Sequence, residues 1–213
     1  MHLLKDNFMH ISWLGGTALK IQTKTSGEDV SLFIDPYKPK DGGFLKSTTA
    51  GIVLYTRGSK GSIPVSGKPF TLETAGECEV KNVLIHAVQG HTAQQCFFRL
   101  DLEGVSLGHL GLCGAPLSSE QLEAFVGVDI LCIPVGGEPG FTAEKASACI
   151  QQIEPRVVIP MAYLSDNDPQ AGSIESFIKE VGVPPQDAEK KLSIKKKDLP
   201  QEDMQVIVLT KEG

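Results

Sequence analysis

An α/β fold, with β-sheets at its centre and helices outside, is what this chain predicts, and three observations carry it. About the first hundred residues break into short segments bounded by Gly, Pro, Ser and Asp, the pattern of strands joined by turns. Beyond Gly104, two apolar runs, DILCIPV and RVVIPM, alternate with amphipathic stretches that begin on capping residues, as buried strands separated by helices do. No internal repeat or low-complexity linker interrupts the 213 residues, 41% of them hydrophobic. One domain spanning 1–213 is therefore expected.

Taken in order, MHISWL, TALKIQT, VSLFID, GIVLYT, PFTLET, CEVKNVLIHAV and QQCFFRLDL read as the strands of a β-meander. After VSLGHLG, the stretch SSEQLEAFVG reads as a helix capped by Ser118 or Ser119, with Leu122, Phe125 and Val126 on one face. DILCIPVGG is an apolar strand. Thr142 caps TAEKASACIQQIE, Glu144 lies in its first turn, and Pro155 stops it before RVVIPMAY, the next apolar strand. SIESFIKEVG is a third helix, closed by Gly182 and the Pro184-Pro185 pair, and KLSIKKK and MQVIVLT finish the chain as strands. KSTTA, SGKP and SDNDPQAGS are loops. Lys190, Lys191, Lys195, Lys196 and Lys197 alternate with Leu192 and Ile194, which fits the solvated face of an edge strand.

The net charge of -6 argues against binding nucleic acid by general phosphate attraction. No stretch approaches the ~20 apolar residues of a membrane span, and MHLLKDNFMHISW lacks the charged-then-apolar layout of a signal peptide; a cytoplasmic protein is expected. Cys78, Cys96, Cys113, Cys132 and Cys149 form an odd set without a C-x-x-C pair, several inside apolar runs. They read as reduced, buried thiols, Cys113 in LGLCGAP included. His86, between Ile85 and Ala87, reads as a satisfied, partly buried histidine, and His109, in SLGHLG, as a residue of a strand. His2 and His10 carry no signal.

The stretch GIVLYTRGSKGSIPV carries most of the functional information. An apolar run, Ile52 to Tyr55, breaks into a polar turn of Arg57, Gly58, Ser59, Lys60, Gly61 and Ser62, and loops that follow buried strands are where many folds keep their chemistry. In order along the chain, ISWLGGTALKI, SLFIDPY with Asp35, PFTLETAGECEVKNV, GVSLGHLG, VDILCIPVGG, FTAEKA and RVVIPMAY resemble the metallo-β-lactamase superfamily. The branch they resemble is that of small zinc-dependent hydrolase-like proteins related to the ascorbate-6-phosphate lactonases. The resemblance runs from about Ile11 to Tyr163 and implies an αββα sandwich: two β-sheets packed face to face, with helices on the outer faces.

It also implies stations for metal ligands, where neutral imidazoles and carboxylates acidify a bound water. Active members end the strand matching GIVLYT in T-H-x-H-x-D-H. Here Thr56 is followed by Arg57 and Ser59 at the first two His positions, Gly61 at the Asp and Ser62 at the last His. Leu112 stands where the family has the Asp of L-G-D, Ala162 where it has the His of I-P-M-H-Y, and Gly16 where it has the His of W-L-G-H. Arg cannot ligate a cation and Gly has no side chain; only His91, in AVQGHTAQQ, could match a ligand. No metal or other cofactor is expected. The turn instead suits an anion, with Arg57, Ser59, Lys60, Ser62, His91 and Thr92 as candidate contacts. The expected function is a catalytically degenerate member that binds a small anionic ligand or a protein partner. The alternatives are a hydrolase of a phosphoester, lactone or amide with an unconventional metal site, and a scaffold subunit with an idle cleft.

Overall fold

A computed structural model describes residues 8–212. Alternating apolar and polar side chains fold the start of the chain into β1 (Met9–Gly15), β2 (Ala18–Thr25) and β3 (Glu28–Ile34), an antiparallel meander that sets Ile11 opposite Ile21 and Ile21 opposite Leu32. The meander stops there. β4 (Thr48–Thr49) and β6 (Val65–Ser66) form a small parallel ribbon, while β5 (Ile52–Leu54) joins β3 in parallel and β7 (Phe70–Leu72) joins β5 in parallel. The physical reason is chain length: the 35–51 and 55–69 connections are long enough for the crossovers that parallel pairing needs.

The segment expected to be one strand, CEVKNVLIHAV, is a hairpin of β8 (Gly76–Val80) and β9 (Val83–Gln89). Its turn is Lys81–Asn82, with φ of 53° and 57°, the paired left-handed geometry of a two-residue hairpin, which Asn tolerates better than most residues. β10 (Cys96–Leu102) and β11 (Val105–His109) continue it antiparallel. Ser118 caps α1 (Ser119–Phe125) through a reciprocal capping box with Gln121. Val126 does not share the buried face expected of it: at φ −52° and ψ 129° it has left the helix and is 52% exposed. Gln121 is buried in its stead, donating to the Gln89 carbonyl at 2.8 Å.

The rest alternates strand and helix: β12 (Ile130–Pro134), α2 (Ala143–Ile153), β13 (Val157–Met161), α3 (Ile174–Val181) and β14 (Pro185–Glu189), then β15 (Leu192–Ile194) and β16 (Gln205–Leu209). Thr142 caps α2 and Gly182, in the left-handed conformation, ends α3. Every residue of β12 and β13 is buried, and the two pair in parallel.

The strands form a six-stranded sheet, β15-β1-β2-β3-β5-β7, and an eight-stranded sheet, β14-β16-β13-β12-β11-β10-β9-β8. β15 is the edge strand that the lysine-rich segment was expected to be. The crossovers from β11 to β12, β12 to β13 and β13 to β14 all step the same way across the eight-stranded sheet. Right-handed connections stepping one way lay their helices on one face, so α1, α2 and α3 form a single outer layer. Between the sheets lies much of the main core, Ile11, Ile21, Leu32, Phe98, Ile130 and Val157 among it. Trp13 of β1 stacks on Tyr163 beyond β13 with ring centroids 4.6 Å apart, joining the two sheets beside the cleft described below. The outer face of the six-stranded sheet is covered differently, by a second small core in which Leu14, Phe33, Val53 and Tyr55 meet Tyr37, Phe44 and Leu45 from the 36–45 segment.

Candidate functional site

The ends of β1, β3, β5, β11 and β13 converge on one buried carboxylate. Asp35 follows β3 in the left-handed conformation, φ 51°, and is 0% exposed. One oxygen accepts the Thr56 backbone N–H at 2.7 Å. The other accepts the hydroxyls of Thr17, 2.7 Å away, and Thr56, 2.5 Å away. Three donors around one carboxylate supply charge-assisted hydrogen bonds, which offset the desolvation that a buried charge costs. Beneath Thr17 lies His109, also 0% exposed. Its Nδ1 accepts from the Gly111 N–H at 3.2 Å, so the ring proton is on Nε2, which donates to the Thr17 carbonyl at 3.0 Å. Burial holds this imidazole below its usual pKa, with Asp35 pulling weakly the other way.

Near this floor lie several of the positions that the resemblance sets against metal ligands, Gly16 and Arg57 among them. The Ala162 N–H donates to the Gly16 carbonyl at 2.9 Å. A Cβ added to Gly111, beside Leu112, would lie 2.8 Å from Thr56. Gln95 reaches the Leu112 carbonyl at 3.5 Å, and the neighbouring Cys96 N–H donates to the Thr56 carbonyl at 2.9 Å. At the positions that the resemblance sets against metal ligands stand Gly16, Arg57, Ser59, Gly61, Ser62, Leu112 and Ala162. Among the described residues, no group of three His, Cys, Asp or Glu side chains could hold a metal ion. With the Asp35 oxygens already taken by three donors, the donor set does not fit a divalent cation.

The 57–62 turn spends much of its hydrogen bonding on itself and its neighbours. Tyr37 OH accepts the Arg57 N–H at 3.0 Å and donates to the Gly58 carbonyl at 2.9 Å, and the Arg57 guanidinium lies 4.7 Å over the Tyr37 ring. Burial, reinforced by the Asp35 charge, raises the Tyr37 pKa well above its ordinary value. The Ser59 N–H is held by Glu73 at 2.6 Å, and the Ser62 hydroxyl donates to the Ser59 carbonyl at 2.8 Å. His91 and Thr92 lie in the adjoining 90–95 turn, where the His91 Nε2 is 3.2 Å from the Ala115 carbonyl and 3.5 Å from Cys113 Sγ. His86 is elsewhere, 3.4 Å from Glu77 across β8 and β9, so the described histidines do not converge. His2 lies outside the described residues. All five cysteines are free, and burial lifts the Cys113 thiol to about 11 and the Cys149 thiol to about 12, which leaves both as inert thiols at neutral pH.

A cleft of about 240 Å3 opens at the ends of β1, β3 and β5, above Asp35 and Tyr37. Of the six residues singled out for ligand binding, Arg57 lines it; Ser59, Lys60, Ser62, His91 and Thr92 do not. Lys38, Lys40, Asn167 and Asp168 do, and sequence reasoning missed all four. They come from two loops more than a hundred residues apart in sequence, and no local pattern in either announces the other.

A profile described as the β-lactamase superfamily domain matches residues 10–162. A UPF0173 metal-dependent hydrolase of Thermococcus onnurineus (strain NA1) is 31% identical over 88 residues, 41% of this chain and 39% of that protein. Among solved structures, a Thermotoga maritima protein described as a zinc-dependent hydrolase of the metallo-β-lactamase superfamily superposes with a TM-score of 0.78 at 22% identity, over 94% of this chain and 98% of that one. Igni18, described as a metallo hydrolase from Ignicoccus hospitalis KIN4/I, superposes with a TM-score of 0.63 at 14% identity, over 88% of this chain and 99% of that one. At such identities the structural likenesses speak to the fold alone.

Proposed function

Because the chain belongs to the β-lactamase superfamily, we propose that it is a member whose ligand stations have lost metal chemistry and whose cleft binds a small anion without hydrolysing it. Within the superfamily, its order of motifs resembles the branch related to the ascorbate-6-phosphate lactonases. One observation carries the reading: the Arg57 guanidinium and Gly16, both at positions that the resemblance sets against metal-ligating histidines, line the cleft over Asp35. A site that would attract a divalent cation needs negative or neutral donors, and Arg57 repels cations while favouring carboxylate or phosphate. The test combines elemental analysis of protein purified without chelator with thermal shift against inorganic phosphate. A ligand that binds only the native state at a hundred times its Kd raises stability by about 2.7 kcal/mol, and Arg57→Ala is expected to abolish that shift. About one zinc, manganese or iron per chain would overturn the reading. That result would favour hydrolysis of a phosphoester, lactone or amide at an unconventional site, an alternative supported by the description of the Thermococcus relative.

A further inference from the structure

The wall of the cleft is made by two facing loops, and one buried ammonium ties them together. Lys211, whose side chain is 12% exposed, donates to the Gly43 carbonyl at 2.7 Å, to Asp166 at 2.6 Å and to Asn167 Oδ1 at 2.9 Å. Asp166 in turn accepts the Gly43 N–H at 3.1 Å, and Asn167 Nδ2 donates to the Leu14 carbonyl at 3.1 Å. The fit between the loops requires glycine: Gly42 has φ 74°, and a Cβ there would lie 2.5 Å from the Asp166 carbonyl oxygen. Lys211 thus holds the segment carrying Lys38 and Lys40 against the one carrying Asn167 and Asp168.

The two walls differ in charge. Lys38, Lys40 and Arg57 bring three cationic side chains to the lining. From the other loop, Asp168 is half-buried, with no side-chain hydrogen-bond partner among the described residues, and burial raises its pKa. A carboxylate left without a donor in such a place costs free energy that a donor on a ligand would recover. The volume of about 240 Å3 falls below the ~300–1,000 Å3 of most small-molecule sites, so the occupant is small.

Building on the anion-binding reading, we propose that the site is this cleft rather than the 57–62 turn. Its ligand is a small phosphate monoester bearing an amine or hydroxyl, the phosphate against Lys38, Lys40 and Arg57 and the donor on Asp168, with Lys211 as the positioning residue that sets the distance between the walls.

Titration calorimetry with O-phosphoethanolamine, glycerol 3-phosphate and methyl phosphate tests each part. The wild type is expected to bind the two donor-bearing esters at least tenfold more tightly than methyl phosphate, and Asp168→Asn to narrow that preference for the amine ester. Lys38→Ala with Lys40→Ala is expected to remove binding, while Ser59→Ala with Lys60→Ala leaves it. Lys211→Met, which keeps the aliphatic stem, is expected to weaken binding at least tenfold with Arg57, Lys38 and Lys40 all present. Wild-type affinity in Lys211→Met overturns the positioning role. If Lys211→Met does not fold, Gly42→Ala, which forces the same two loops apart, replaces it. Binding that survives loss of Lys38 and Lys40 but not of Ser59 and Lys60 returns the site to the turn and sinks this proposal while the anion reading stands. No binding of any ester by the wild type sinks both.

Discussion

The floor of the cleft and the 57–62 turn at its rim, of which only Arg57 lines the cleft itself, are built on opposite principles. At the floor, Asp35, Thr17, Thr56 and His109 are all within 5% of full burial, and their polar side-chain groups are paired inside the protein. At the rim, Arg57, Ser59 and Lys60 are exposed, and the turn is held by a few bonds to Tyr37 and Glu73. The floor joins β1, β3, β5 and β11, so its bonds are part of what makes two sheets meet there. The turn is tied only to its neighbours, the 36–38 segment and Glu73. Residues at such a rim can change their chemistry without unfolding the protein.

The contrast can be broken most sharply at Asp35. Asp35→Ala leaves two threonine hydroxyls and the Thr56 N–H buried without an acceptor, and is expected to cost about 3 kcal/mol or more. Urea unfolding measures it; a loss under about 1 kcal/mol would mean the floor is not structural. Gly111→Ala comes next, at about 2 kcal/mol, since the new methyl meets Thr56 at 2.8 Å and the residue has φ 53°. A tolerated alanine there would show that Thr56 is free to move.

Titration sharpens the comparison further. The folded His109 pKa lies below the unfolded value, so between the two the unfolded chain binds more protons and stability rises with pH. The contribution is complete above about pH 6.5 and is lost as the pH falls below it, by up to about 1.4 kcal/mol per pH unit until the folded pKa is reached. His109→Gln is expected to flatten the dependence of melting temperature on pH between about 7 and 5; an unchanged slope would assign the effect to other groups. The smallest effect belongs to the rim. Lys60→Ala is expected to change stability by less than about 0.5 kcal/mol, and Arg57→Ala by at most about 1 kcal/mol, the worth of its contact with the Tyr37 ring. A larger loss at Lys60 would make the rim structural too.

Much of the second half of the chain is legible in its sequence because its signals are local. DILCIPV and RVVIPM are unbroken apolar runs, and Ser118, Thr142 and Gly182 act on bonds within a residue or a turn of themselves. The first half hides its topology in long connections. GIVLYT and PFTLET look like meander strands, but whether they pair parallel or antiparallel is decided by where the 35–51 and 55–69 segments travel. Lys81–Asn82 hid because a hairpin turn without glycine interrupts neither charge nor hydrophobic pattern. At the site, Arg57 was findable because it follows a buried strand directly. Lys38, Lys40, Asp168 and Lys211 were not, since each looks like any surface charge until the fold sets them around one cleft. Asp35 stood in the sequence only as part of SLFIDPY, and its role emerged from the donors that three other segments bring to it.

The imidazole beneath Thr17 has one more use. Its Nε2 proton is sealed from water and engaged by a carbonyl, so it exchanges with solvent only when the floor opens. In a proton NMR spectrum it is a single ring N–H line whose broadening dates the moment the two sheets part, and a ligand seated above it would lengthen that line's life without touching it.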